Sequence, residues 1–264
     1  MTTGSGVPAG ASRSAIESPS VLEGAVSVRA ALQGQSREIV QIYVRRGKRG
    51  KAISRLNALA RAAGVPVQRV DAQVIAAHAG GKSHGGVVAC VGPRRFVSLA
   101  DLLQGVDAPL IAMLDGIEDP FNFGAAVRAL YAAGAHGLVL RPRNWMSAAG
   151  VVARASAGAS ELIPTAVAES VFEAAAFFKA QGLAVVCTTK EKSASLYDAD
   201  LTIPLFMVIG GEKRGITRSF LDQADLRLEI PYGRRFPQSL GTSSAVAVLA
   251  FEIMRQRQRM NPST

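Results

Sequence analysis

The chain has 264 residues, enough for one large domain or two ordinary ones. Hydrophobic residues make up 48% of it and aromatics only 6%, so a buried core must come mainly from Ala, Val and Leu. Thirty Lys and Arg against 20 Asp and Glu give a net charge of +10, which points to a polyanionic partner, with solubility as the plainer reading. No apolar run reaches the length of a membrane span, and the first twenty residues lack a secretory hydrophobic core, so a soluble cytoplasmic protein is expected.

Residues 1–20 are rich in Ser, Gly, Thr and Ala and read as a disordered tail. Residues 21–98 read as a small, very basic α/β unit. Within it "REIVQIYV" reads as a helix end running into a strand, "ISRLNALARAAGVPV" as a helix stopping at Gly64 before a strand, and "GGVVACV" as another strand. From Arg37 to Arg69 there are nine Lys or Arg against one acid, Glu38. Such a block suits phosphate contact, where each neutralised phosphate releases counterions. Arg37, Arg45, Arg46, Lys48 and Arg49 are the candidates, and a solvated basic face is the alternative. Residues 99–109, with "SLADLLQGVDAP", read as a linker carrying a short helix.

Residues 110–264 alternate strand and helix. "LIAMLDG", "GLVL", "LAVVCTT", "LFMVIGG" and "LRLEIP" read as strands; "NFGAAVRALYAAG", "SAAGVVARASAG", "SVFEAAAFFKAQG" and "TSSAVAVLAFEIMRQRQ" read as helices. This alternation implies a mostly parallel sheet covered on both faces, an α/β class whose ligands bind at the carboxyl ends of strands. Cys90 and Cys187 each sit in an apolar run and read as buried free thiols. His78, His84 and His136 have no metal-ligand spacing with either cysteine, so no metal is expected.

Three loops at strand ends carry the candidate chemistry. In "DPFNFGAAVRALYAAG" the apolar residues Phe123, Val127 and Leu130 recur at helical spacing around a lone Arg128, with Asn122 placed to cap the helix. That arginine is either surface charge or a group held for a reaction. "GGEKRG", Gly210 to Gly215, is not a P-loop, since no Gly-Lys-Ser/Thr follows, nor a dinucleotide fingerprint. The third loop is "IPYGRRFPQSLG", Ile230 to Gly241. On spacing alone a Rossmann-like nucleotide enzyme stays open.

The ordered set Asn122, Gly124, Arg128; Gly210, Glu212, Gly215; Ile230, Pro231, Ser239, Leu240 resembles the TrmH (SpoU) family of SPOUT RNA methyltransferases, with "ASAGA" at Ala155 to Ala159 in keeping. The basic front unit, with "GVPV" and "SHGGVVACV", resembles the L30e-like substrate-binding domain often found ahead of it. The resemblance implies a parallel-sheet methyltransferase domain with a C-terminal trefoil knot, an exception to the usual rules of chain connection. It also implies S-adenosylmethionine as cofactor, a homodimer with the site near its interface, and methyl transfer to a ribose 2′-hydroxyl of rRNA or tRNA.

It assigns Arg128 as the catalytic arginine. A guanidinium is not deprotonated in proteins, so gripping a neighbouring phosphate and orienting the hydroxyl suits it better than general-base work. Glu212 would fix Arg128 or its loop, Asn122 would support the arrangement, and Ser239 would bind substrate or hold the loop. Thr188, Gly210, Gly211, Ile230 and Leu240 are expected to contact the cofactor, mainly through backbone groups. Arg234 and Arg235, in the third loop, are candidates to meet RNA phosphates, with a solvated loop face as the alternative. One position departs from the pattern: the family's Ser-Leu-Asn reads Ser239-Leu240-Gly241 here. The missing amide leaves Thr242 or Ser243 as substitutes, or else a catalytically weak RNA-binding protein of the same fold.

Overall fold

The computed structural model describes residues 20–142, 148–211 and 215–260. The front unit runs β1 (Ser20–Glu23), α1 (Ala25–Gly34), β2 (Arg37–Arg45), α2 (Lys51–Ala62), β3 (Val67–Val70), α3 (Ala72–His78) and β4 (Val87–Arg94). Its four strands are ordered β1-β4-β2-β3, with β2 parallel to β3 and the other pairs antiparallel. "REIVQIYV" lies wholly in β2, with no helical part. Gln35 takes a left-handed conformation (φ 47°) and ends α1 one residue before the strand approach. In α2 the buried residues Ile53, Leu56 and Ala60 recur at three- and four-residue steps, so one face of the helix packs on the sheet.

A single 3-10 turn, Asp101–Leu103, leads into the second unit. This comprises β5 (Leu110–Asp115), α4 (Pro120–Ala132), β6 (Gly137–Leu140), α5 (Ala149–Ala155), α6 (Ala159–Leu162), β7 (Thr165–Val167) and α7 (Val171–Ala180). It continues with β8 (Ala184–Thr188), β9 (Ala194–Ser195), β10 (Leu205–Gly210), α8 (Arg218–Leu221), β11 (Leu226–Glu229) and α9 (Thr242–Met260). Seven strands form one sheet in the order β7-β6-β5-β10-β8-β11-β9, and every pairing in it is parallel.

Alternate strand residues serve opposite faces, as the pleat requires. Leu110, Ala112, Leu114, Met207 and Ile209 pack under Phe123 and Val127 of α4 and Leu249 and Ile253 of α9. Ile111, Met113, Phe206 and Val208 pack under Phe178 of α7 and Phe220 of α8. Both faces are therefore covered. Cys187 is buried there, and burial pushes its thiol up to about 11. Cys90 is only half-buried, on the front sheet, so the two thiols stay free and in separate units.

The two units share a packed junction. Ala153 of α5 is buried inside the front unit's own core, beside Leu22 and Val28. Gly34, at the end of α1, lies so close to the Glu161 carbonyl that a Cβ there would overlap it. Arg37 belongs to this junction. Expected on an RNA-facing surface, it is instead buried, donating from Nε to the Glu161 carboxylate at 3.0 Å. Ser36 donates to the same oxygen at 2.5 Å, and Arg94 lies 3.6 Å from it. Arg37 sits in the most basic stretch of the chain, yet its partner comes from 124 residues away in sequence. A second ion pair, Arg154 of α5 with Glu23 of β1, also crosses the junction.

Candidate active site and nucleic-acid interface

The carboxyl ends of β8, β10 and β11 converge on one cleft of about 250 Å³. Parallel strands end together there, and their loops leave backbone groups that no neighbouring strand satisfies. Thr188, Gly210, Gly211, Ile230, Ser239 and Leu240 all line it. Those six residues come from three loops separated in sequence, and they include every residue assigned to cofactor contact. Thr242, named from sequence only as a substitute for the missing amide, lines it as well, as do Thr189, Lys190 and Tyr232, which the motifs did not single out. Lys190 follows directly on the strand that ends at Thr188, and that adjacency was its only signal.

Glycine is required at the cleft floor. A Cβ on Gly211 would overlap the carbonyl of Gly116, the residue after β5, so the β5 and β10 ends approach as closely as two backbones can. The cleft is thus walled by main chain on this side, a surface suited to a ligand recognised through amides and carbonyls. The Leu240 amide itself is taken. It donates to the Tyr232 hydroxyl at 2.9 Å, so that amide already has a partner within the loop.

Arg128 and Asn122 do not line this cleft. Asp119, not Asn122, caps α4: its Oδ1 accepts from the Phe121 and Asn122 amides at 2.7 and 2.8 Å, and Pro120 takes the first helical position. Asn122 is half-buried on the first turn. Arg128 is exposed two turns further on, with no ion pair or hydrogen bond among the described residues. Exposed apolar rings flank it on the same helix, Phe121 (62% exposed) and Tyr131 (41%), and Phe251 (43%) extends the strip onto α9, which packs beside α4. Glu212 lies outside the described residues.

The front unit presents a second surface. Arg46, Gly47, Lys48, Arg49 and Arg69 ring an open recess at the carboxyl end of β2. Arg69 donates to the Lys48 carbonyl at 2.7 Å and shapes the turn, while Arg46 makes only an exposed contact with Asp71 at 3.4 Å. Arg45 and Arg49 are exposed, as are Arg234 and Arg235 in the third loop. Such unneutralised cations can take phosphate at little desolvation cost. No described helix is long and apolar enough to cross a membrane, and no described His, Cys, Asp or Glu cluster could hold a metal ion.

Comparison with known proteins finds the same two units. Residues 109–251 match the SpoU rRNA Methylase family model, and residues 21–97 match the model for RNA 2′-O ribose methyltransferase substrate binding. The 23S rRNA (guanosine-2′-O-)-methyltransferase RlmB of Pseudomonas putida is 34% identical over 239 residues, covering 89% of this chain and 96% of that protein. A crystal structure of an RNA 2′-O ribose methyltransferase superposes with a TM-score of 0.71 at 26% identity, covering 90% of this chain and 88% of that one. The SpoU methyltransferase AviRb of Streptomyces viridochromogenes, solved in complex with AdoMet, has a TM-score of 0.75 at 20% identity, a likeness of fold, covering 91% and 90% of the two chains. A family model spanning more than half of its length, over a parallel sheet whose strand ends gather two of the three motif loops into one cleft, places this chain in the SpoU rRNA methylase family.

Proposed function

We propose that this chain is a cytoplasmic, S-adenosylmethionine-dependent methyltransferase acting on a ribose 2′-hydroxyl of 23S rRNA. One observation carries the reading: the second and third motif loops, distant in sequence, line a single glycine-walled cleft together with the end of β8. The name of the Pseudomonas putida relative supports the substrate. Residues 21–98 hold the RNA, residues 99–109 connect, and residues 110–264 transfer the methyl group.

The residues at the cleft fit the cofactor. Main-chain groups of Gly210, Gly211, Ile230 and Leu240, with the Thr188 side chain, would hold it, and it supplies an electrophilic methyl on a sulfonium sulfur. The chain's own residues must then orient a poor nucleophile and stabilise charge as the hydroxyl proton leaves. Arg128 suits this by gripping the phosphate next to the reacting sugar. It stands outside the cleft of its own chain, on an exposed face bearing Phe121, Tyr131 and Phe251. A homodimer through α4 and α9 would cover those rings and bring Arg128 to the cleft of the partner subunit. The knotted path belongs to the same reading. The chain leaving β11 returns past the cleft, and α9 then packs on α4 and touches β10.

The test is calorimetry with S-adenosylmethionine, then tritiated methyl transfer to 23S rRNA with mass spectrometry of the ribose. Uptake and a methylated ribose are expected. RNA binding without cofactor uptake would instead select the catalytically weak RNA-binding alternative suggested by Gly241.

The basic recess gives a separate prediction. Replacing Arg46, Lys48 and Arg49 by Ala should weaken RNA binding evenly across sequences and lower the salt slope of log K by about one per cation lost. Cofactor affinity should not change. An unaltered slope in a salt titration would return these residues to a merely solvated face.

A further inference from the structure

The third loop has almost nothing to hold it. Pro231 and every residue from Gly233 to Gly241 are exposed, so burial contributes little to its order. Yet Ser239 and Leu240 from this loop form one wall of the cleft. Two residues pin it there. The half-buried Tyr232 reaches along the loop, and its hydroxyl accepts from the Leu240 amide at 2.9 Å. Lys190, from the end of β8, donates to the carbonyls of Pro237 and Gln238 at 3.4 and 3.2 Å. The Lys190 ammonium also lies 5.0 Å from the centre of the Tyr232 ring, within cation–π range. The contacts form one unit: the lysine fixes the ring, and the ring's hydroxyl fixes the loop. Lys190 and Tyr232 themselves line the cleft.

Gly241, next to Leu240 in the chain, offers no side chain that could hold the loop. Its carbonyl accepts from the Ser244 and Ala245 amides, which puts it at the start of α9, and the space around a Cβ there is open. An Asn side chain would fit, yet none is present. Neither substitute expected from sequence, Thr242 or Ser243, makes the contact with the Leu240 amide; Tyr232 does.

We infer that Tyr232 and Lys190 are positioning residues that close the third loop over the cofactor cleft, replacing the amide side chain that position 241 lacks. The inference rests on the methyltransferase reading above. Tyr232→Phe keeps the ring and removes only the hydroxyl, so the fold should stand and the loop should loosen. S-adenosylmethionine binding by calorimetry is then expected to weaken roughly tenfold, the scale of one lost hydrogen bond to a backbone amide. In steady-state methyl transfer to 23S rRNA the KM for the cofactor should rise by a similar factor, with kcat at saturation changed far less. Lys190→Met should weaken uptake severalfold through the same loop. Adding Gly241→Asn to Tyr232→Phe should restore most of the affinity, which a general structural defect would not allow.

Tyr232→Phe protein that binds the cofactor within twofold of the parent would overturn the inference. A double variant as weak as the single one would overturn the replacement of the missing amide. No uptake by the parent chain would bring down the methyltransferase reading, and this inference with it, and that result is distinct from the other two.

Discussion

Arg128→Ala protein folds, takes up S-adenosylmethionine with the affinity of the parent chain, and transfers methyl groups to RNA roughly 10²–10³-fold more slowly, the usual loss when one stabilising charge is removed from a transition state. Each part of this result has a physical source. Arg128 is exposed and makes no ion pair or hydrogen bond among the described residues, so its loss leaves no buried group unpartnered. Alanine is also the best helix former, which favours α4. Cofactor affinity is spared because the arginine does not line the cleft of its own chain. What disappears is a cation on a surface bearing Phe121 and Tyr131.

The same variant tests the dimer. Gly210→Ala crowds the turn at Gly215 and disables the cleft while leaving α4 untouched. Mixed with Arg128→Ala protein after dissociation and reassociation, it should recover about one quarter of the parent activity, since half of the dimers carry one complete site. Recovery at that level would place the arginine of one subunit at the cleft of the other. No recovery, despite hetero-dimers seen by native mass spectrometry, would mean that Arg128 serves its own chain.

Periodic and punctuated segments were legible in the sequence. α2 and α4 each show apolar residues at three- and four-residue steps, and each is followed by a glycine with positive φ, Gly64 or Gly134. The continuous apolar runs of β5 and β10 are buried strands in neighbouring positions. Elements that exist only through tertiary partners were not legible. β1 is four residues paired to β4, β9 is two residues beside β11, and α6 is a single turn at the unit junction. The site divides in the same way. Glycine-rich turns announce a backbone-walled cleft, and all five cofactor candidates line it. Tyr232 and Lys190 carry no such mark, because a tyrosine matters here only where its hydroxyl meets one particular amide. Arg37 misled for the opposite reason. Local charge density suggests an outward-facing cation, whereas a distant carboxylate draws this one inward.

That carboxylate gives the largest expected loss of stability. Glu161→Gln keeps the shape of the side chain and removes its charge from a junction where Glu161 is 1% exposed and Arg37 5%. Removing one partner of a buried pair leaves the other's charge uncompensated, at a cost of about 3–5 kcal/mol. Arg94 makes the position worse. Burial already pushes its guanidinium below the ordinary arginine value, Arg37 pushes it the same way, and Glu161 is the charge that raises it. A neutral glutamine therefore leaves the buried Arg37 and the largely buried Arg94 guanidiniums without the carboxylate that both approach. The junction should loosen before either unit melts, because each sheet keeps its own core. In calorimetry this appears as a single transition of the parent splitting in two, with the first lowered by roughly 10 °C. Cofactor binding in the distant cleft should persist at room temperature. RNA methylation should fall through a raised KM for the RNA, because the basic recess and the cleft are no longer held at a fixed separation. A Glu161→Gln protein that melts in one transition within a degree or two of the parent would show that the junction does not need this charge, and that the packing of Ala153 and the close approach at Gly34 suffice to join the units.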